Sequence, residues 1–316
     1  MTDLSSGGGH SPIAVVGRNG VDESVHHGTV VVRHRDGSID VLAGAADLAI
    51  YPRSSLKPLQ ATAMVRAGLE VDSRQLALAC ASHDGSSVHL DVVRSTLARA
   101  GLDAHALRTT PDLPLDRDEA EAWLAAGGGR EPLAMNCSGK HAAMLATCVA
   151  NGWPTDGHLD PDHPLQRHIT SVIGDLCGEP VRHVGIDGCG APTHLVGIAA
   201  LATAIAVVAD ERGAVWSAMT GHPHLVGGPF RPVTVLMNAV PGLMAKDGAE
   251  GVFVAAMPDG PSVAVKVADG ASRAAALVAT AALRRVGVDV PLDIDHDLAP
   301  PALGGGVPVG RVRSLL

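Results

Sequence analysis

The hydrophobic rhythm of this chain changes twice, from alternating to helical and back, and that order decides which architectures are open to it. Strand-like segments recur near the start over Ile13 to Val16, Thr29 to His34 and Ile39 to Leu42, with the turn Arg35-Asp36-Gly37 between the last two. From Ser54 to about Val208 the spacing is mostly helical. After Pro164, which suits a first helical position, Leu165, Ile169, Val172, Ile173 and Leu176 recur on one face. Strand patterns return in Val252 to Met257 and Ser262 to Val267, joined by Pro258-Asp259-Gly260-Pro261. A helix over about Ala271 to Val286 and a last strand within Val307 to Ser314 follow. Strands at both ends with helices between them predict one antiparallel sheet assembled from the two termini, an α+β arrangement. The expected organisation is a disordered tail over residues 1–12 and a single α+β catalytic domain over residues 13–316, with a helical lobe at about 54–210. A parallel doubly wound sheet fits this order poorly, and no internal repeat is present.

Composition then narrows the function. A net charge of −9, with no basic run interleaved with aromatics, gives no reason to hold phosphate backbones, so nucleic acid is not an expected partner. Met1 to Pro12 carries Asp3 and a Ser/Gly stretch where a secretory signal needs a basic patch and an apolar run. The most apolar stretch, Leu195 to Ala209, falls short of the roughly 20 residues that cross a bilayer and reads as a buried helix. A cytoplasmic location without a membrane partner is expected. Five cysteines without an export signal argue against a disulfide framework, and Cys80, Cys148 and Cys177 read as small core residues. Of 24 basic residues only Lys57, Lys140, Lys246 and Lys266 are lysines. Where arginine serves for ordinary charge, each lysine is a candidate for proton transfer, which guanidinium cannot perform.

Pro52-Arg53-Ser54-Ser55-Leu56-Lys57-Pro58 contains S-x-x-K and opens a helix expected over Leu56 to Ala67, stopping at Gly68. Pro58 sets the register, because proline is tolerated only in a first helical turn. Ser54 and Lys57 then share a face, about 5–6 Å apart at Cβ. The helix start favours an anionic oxygen over an ammonium, which casts Lys57 as the base for Ser54. Taken alone, S-x-x-K reads equally as a capping serine and a solvated lysine. Two more segments change the balance. Cys80-Ala81-Ser82-His83-Asp84-Gly85 brings a second serine into a polar loop, and in Ser262 to Val267 the period of two sets Lys266 between small residues on one face. Serine acyl-transferases of the β-lactamase and penicillin-binding type use this set in this order. The first lysine activates the nucleophile, and the second serine, beside the second lysine, relays a proton to the departing nitrogen. Lys246, in Ala245-Lys246-Asp247-Gly248, reads as a turn lysine.

A further cluster joins Asn136-Cys137-Ser138-Gly139-Lys140-His141 to Asp187-Gly188-Cys189-Gly190-Ala191-Pro192. It is not a phosphate loop, since that motif needs glycine at Ala134 and Ser or Thr at His141. The two glycine-rich turns each present a cysteine before a helix, and the sequence leaves open a soft metal such as zinc, a nucleophile, or inert buried thiols.

Together Pro52 to Gln60, Ala81-Ser82-His83, Asn136 to Ala142 and Asp187 to His194 resemble the thermolabile, Rhizobium-type (class 3) L-asparaginases, and the resemblance runs from about Ile13 to the C terminus. It implies a fold similar to serine β-lactamases and glutaminases, a homodimer, and hydrolysis of L-asparagine to aspartate and ammonia. By motif it implies two serine–lysine tandems, Ser54 with Lys57 and Ser82 with Lys266. It also implies a zinc site of Cys137, Lys140 and Cys189, with Asp187 and His141 close by. In one place the pattern departs: where such proteins tend to carry an acidic residue in G-x-G-R-F-D-T, this chain has Val233. Arg53, His83, Asp187 and Arg231 are substrate-binding candidates on charge type. The rival readings are a glutaminase or other small-amide hydrolase on the same fold, a penicillin-binding-type acyl-transferase, and a non-catalytic amino-acid sensor.

Overall fold

The computed structural model describes residues 9–316, so most of the expected tail lies outside the described residues. Where the chain is described, order begins earlier than expected: β1 (Ser11–Arg18) already includes Ser11 and Pro12. It turns into β2 (Val21–Arg33) through Asn19-Gly20, both with positive φ, the pair that a two-residue hairpin favours. β3 (Ile39–Ala43) and the short β4 (Ala49–Ile50) follow. The helical stretch holds α1 (Lys57–Arg66), α2 (Ser73–Ala79), α3 (Ser87–Arg99), α4 (Arg117–Ala125), α5 (Ser138–Ala150) and α6 (Pro164–Cys177). Then come β5 (His183–Ile186), β6 (Pro192–Gly197), α7 (Ile198–Asp210), α8 (Ala214–Gly221), α9 (Pro223–Val226) and α10 (Pro232–Ala239). The chain ends with β7 (Met244–Gly248), β8 (Val252–Ala256), β9 (Ser262–Val267), α11 (Ala275–Arg285), α12 (Asp295–Leu298), β10 (Ala302–Gly304), β11 (Val307–Gly310) and β12 (Val312–Ser314).

Three expectations need correction. The apolar run from Leu195 begins as the end of β6 and becomes helical only at Ile198. The last strand is two, β11 and β12, separated by Arg311. β7 was not foreseen at all.

The chain forms two compact units, each built from separated segments. The first comprises the described chain up to Ser55, Leu195–Glu211 and Phe230–Leu316. Its sheet runs β12-β1-β2-β9-β8-β7, with β3 also on β2, and its pairings are antiparallel. Strands from the two chain ends meet where Val30 faces Val265, as the α+β reading requires. The middle strands are buried almost throughout, β8 from Val252 to Ala256, because α7 and α11 pack on them. The alanines of α7 leave that helix slim enough for close approach to the sheet.

The second unit comprises Leu56–His194 and Arg212–Pro229. α5 lies at its centre, against α1, α2, α3 and α6. Closeness to α2 depends on Gly139: a Cβ there would sit 2.5 Å from the carbonyl oxygen of Leu78. α2 starts with a capping box, the Asp72 carboxylate accepting from Gln75 N at 2.9 Å while Gln75 Oε1 accepts from Asp72 N. No helix among the described residues is long and apolar enough to cross a membrane.

Candidate active site

A 3₁₀ turn over Arg53–Leu56 runs directly into α1, with Pro58 in the first turn as its chemistry demands. Arg53 has φ of 55°, a left-handed conformation that strains a non-glycine residue, and it stands immediately before Ser54. Ser55 is buried and its N–H donates to Pro52 O at 3.1 Å, closing the turn. Gly248 of β7 lies against this turn: a Cβ would come within 2.4 Å of Pro52 O and 2.6 Å of Ser55 Oγ. Ser54 is half-buried.

β7 also carries Lys246, and here the reading of a turn lysine is corrected. Its side chain is buried, donating to the Asp247 carboxylate and, at 2.7 Å, to Asp247 O. Arg231 Nη2 meets the same carboxylate at 2.7 Å. Burial pushes the Asp247 carboxyl upward, but the flanking Lys246 and Arg231 charges outweigh it and hold it well below the usual carboxylate range. Arg231, expected to meet substrate, is thus engaged by Asp247. Val233 is buried in the first turn of α10.

Lys266, on β9, is half-buried. Its amine donates to the carbonyls of Glu250 and, at 2.8 Å, Val267. Burial lowers its pKa, against the raising influence of Glu250 and Asp269.

In the second unit, the segment after α2 is a loop whose residues are tied down one by one. Ser82 N donates to Val226 O (3.0 Å), His83 N to Asn136 O (3.1 Å) and Asp84 N to Gly227 O (2.8 Å). Lys57 is 1% exposed, donates to Ala81 O, and reaches Ser82 Oγ at 3.1 Å. Among the described residues it pairs with no carboxylate. Ser82 Oγ accepts a hydrogen bond from Lys57, and Lys266 donates to two carbonyls of its own unit. His83 is fully buried, Nε2 lies 2.9 Å from Ser138 Oγ, and the ring stacks on His89 at 5.3 Å. Burial first, then His89 and Lys57, hold its pKa well below the ordinary histidine value, so it is neutral.

Behind Ser138 lies the thiol centre. Cys137 precedes α5, and Lys140 Nζ donates to Cys189 Sγ at 3.2 Å. Of the two thiols, Cys189 is the one pushed down, accepting from Cys137 and facing Lys140 and His141; Cys137 is pushed up by that hydrogen bond and by burial. Burial works against the charge on Lys140, but Cys189, Cys137 and Asp187 outweigh it and raise its pKa. Asp187 itself is anchored in its turn, its Oδ1 accepting from Gly188 N at 2.8 Å.

Donor chemistry decides whether a metal suits this place. Both ring nitrogens of His141 are buried without a hydrogen-bond partner, as are Nε2 of His158 and Nδ1 of His194. Burial lowers His158 and His194 to about 4, keeping them neutral. Two thiols and an amine are donor types that suit a soft divalent cation. No group of three or more His, Cys, Asp or Glu among the described residues is arranged to hold one, so the fit depends on Lys140 as a donor.

The sequence placed Ser54, Lys57, Ser82, Cys137 and Lys140 in elements that the structure keeps, whereas Cys189, expected before a helix, lies in the turn between β5 and β6. It missed Ser138, Asp247 and the strand position of Lys246; lysine scarcity had marked Lys246, and only its turn-like neighbours argued otherwise. The family model for L-asparaginase II matches residues 14–314. No curated protein is significantly similar to the chain. Among solved structures, Mglu in its native form shares 12% identity over 82% of this chain and 64% of its own, with a TM-score of 0.43. Mglu in its glutamate form shares 14% over 82% and 60%, with a TM-score of 0.45. A beta-lactamase from Mycobacterium bovis shares 16% over 90% and 98%, with a TM-score of 0.39. This chain spans less than two thirds of the length of those two Mglu chains.

Proposed function

The chain belongs to the L-asparaginase II family, and on that premise we propose that it is an amidohydrolase that converts L-asparagine and water to aspartate and ammonia, with Ser54 as nucleophile. Lys57 takes the proton of the Ser54 hydroxyl, and the oxygen bonds to the side-chain amide carbon. As the carbon–nitrogen bond breaks, Ser82 passes a proton from Lys57 to the nitrogen, which leaves as ammonia. Water then cleaves the acyl-enzyme, returning Ser54 and yielding the carboxylate. The observation that carries this reading is the buried Lys57 amine, which has a hydroxyl and a carbonyl for partners and no carboxylate.

Arg53 and Asp187 are the charges this reading assigns to the α-carboxylate and α-amine of the substrate. Zinc belongs to it as well, held by Cys137, Lys140 and Cys189; when bound it would supply positive charge that supports substrate binding. Taking up the metal requires Lys140 and the thiols to release protons, so occupancy should rise with pH. A homodimer, implied by the resemblance, is part of the same reading.

Ammonia release by purified protein offered asparagine, glutamine and other small amides tests the reading directly. Asparagine should be turned over with the highest kcat/KM, and Ser54→Ala should fold while keeping less than about a tenth of wild-type activity. Binding of asparagine without ammonia release would mean a sensor, and a preference for glutamine would name the substrate wrongly.

A further inference from the structure

We propose that His83 is a positioning residue, whose bond to Ser138 holds the loop so that Ser82 Oγ meets Lys57. The start of α5, and with it the thiol centre, is thereby coupled to Ser82. The part of this inference that concerns turnover rests on the function proposed above.

Residues 81 to 86 lie in no helix or strand, so no regular ladder orients Ser82. Its direction depends on what grips the loop from each side. On one side the grip is backbone to backbone, at Val226 and Gly227. On the other side it comes from the segment leading into α5, by His83 N to Asn136 O and by the side-chain bond of 2.9 Å between His83 Nε2 and Ser138 Oγ. The ring that makes this bond is itself immobilised. It stacks on His89, and His89 is pinned by Ser86 Oγ at 2.8 Å and by the carbonyl of His224 at 3.0 Å.

His83 and Ser138 are both fully buried, so water does not compete for the bond, and a buried hydrogen bond broken on one side leaves the other partner unsatisfied. Ser138 sits between Cys137 and the helical turn that carries Lys140. A shift of the α5 start, as when the thiols change partner, would be handed on to His83 and from there to its chain neighbour Ser82. A residue that served only to fill the core would show its loss in stability and leave the loop and the chemistry unchanged.

Ser138→Ala removes a single buried oxygen and is the primary variant. Hydrogen exchange followed by mass spectrometry should show the amides of residues 82–84 exchanging about tenfold faster or more, with β8 and β9 unchanged. Turnover of the amide substrate should fall about tenfold or more in kcat, with KM held within about threefold. His83→Gln, which keeps a polar nitrogen at nearly the position of Nε2, should recover much of both effects, and His83→Ala should not. Unchanged exchange at residues 82–84 together with kcat within about threefold of wild type overturns the proposal. If wild-type protein hydrolyses no amide, the functional reading fails, and the exchange measurement alone decides the clamp.

Discussion

Lys57 touches a serine hydroxyl and a carbonyl, whereas Lys246 is locked to Asp247 and Lys266 is spent on two backbone oxygens. Only the first arrangement lets an amine exchange a proton with a hydroxyl during a reaction. Lys57→Arg keeps the positive charge and removes the base, since guanidinium does not deprotonate in proteins, and activity should drop on the order of 100-fold or more. Lys266→Arg is the matched control and should stay within about threefold, read by ammonia release in both. Lys246→Arg cannot serve as that control, because a larger cation has to enter a buried site. At the same scale Asp247 makes stability depend on pH. Its carboxyl is depressed in the folded protein, so its stabilisation is present above the unfolded value and is lost as the solution is acidified below about pH 4. Urea midpoints measured between about pH 6 and pH 3 should fall more steeply for wild type than for Asp247→Asn. Parallel slopes would show that the Arg231–Asp247–Lys246 cluster adds no such dependence.

α2 and α5 cross as closely as their backbones allow, and the absence of one side chain permits it. Gly139 faces the carbonyl and side chain of Leu78, so Gly139→Ala must push the helices apart although alanine is the better helix former. Unfolding free energy should drop by about 1–3 kcal/mol, and activity with it, because the residues on either side of Gly139 are Ser138 and Lys140. A variant as stable as wild type would mean that α5 can rotate freely at this point. Elements also differed in how plainly the sequence announced them. α1 was readable because Pro58 admits one register, whereas β7, Met244-Ala245-Lys246-Asp247-Gly248, lacks a β-branched residue and is a strand because β8 pairs with it from Met244↔Ala256 to Gly248↔Val252. Asn19-Gly20 carries the local mark of a two-residue hairpin in its turn residues.

Across the whole molecule all five cysteines are free and buried, and burial raises Cys148 to about 11 and Cys177 to about 12. Native protein should therefore react with fewer than about one equivalent of a thiol reagent within minutes, and all five cysteines should react once it is unfolded in guanidinium. Early reaction of more than one thiol would place Cys137 or Cys189 within reach of solvent. From sequence alone came the alternation of strands and helices, the α+β class, and the serine, lysine and cysteine motifs, because periodicity and turn chemistry act over a few residues and leave local marks. Tertiary structure decided that Lys57 reaches Ser82, that Arg231 meets Asp247, that Ser138 faces His83, and that each unit draws on separated stretches of chain. The first three of these partnerships span 16 to 55 residues, and no local pattern records a contact that closes a loop of that length.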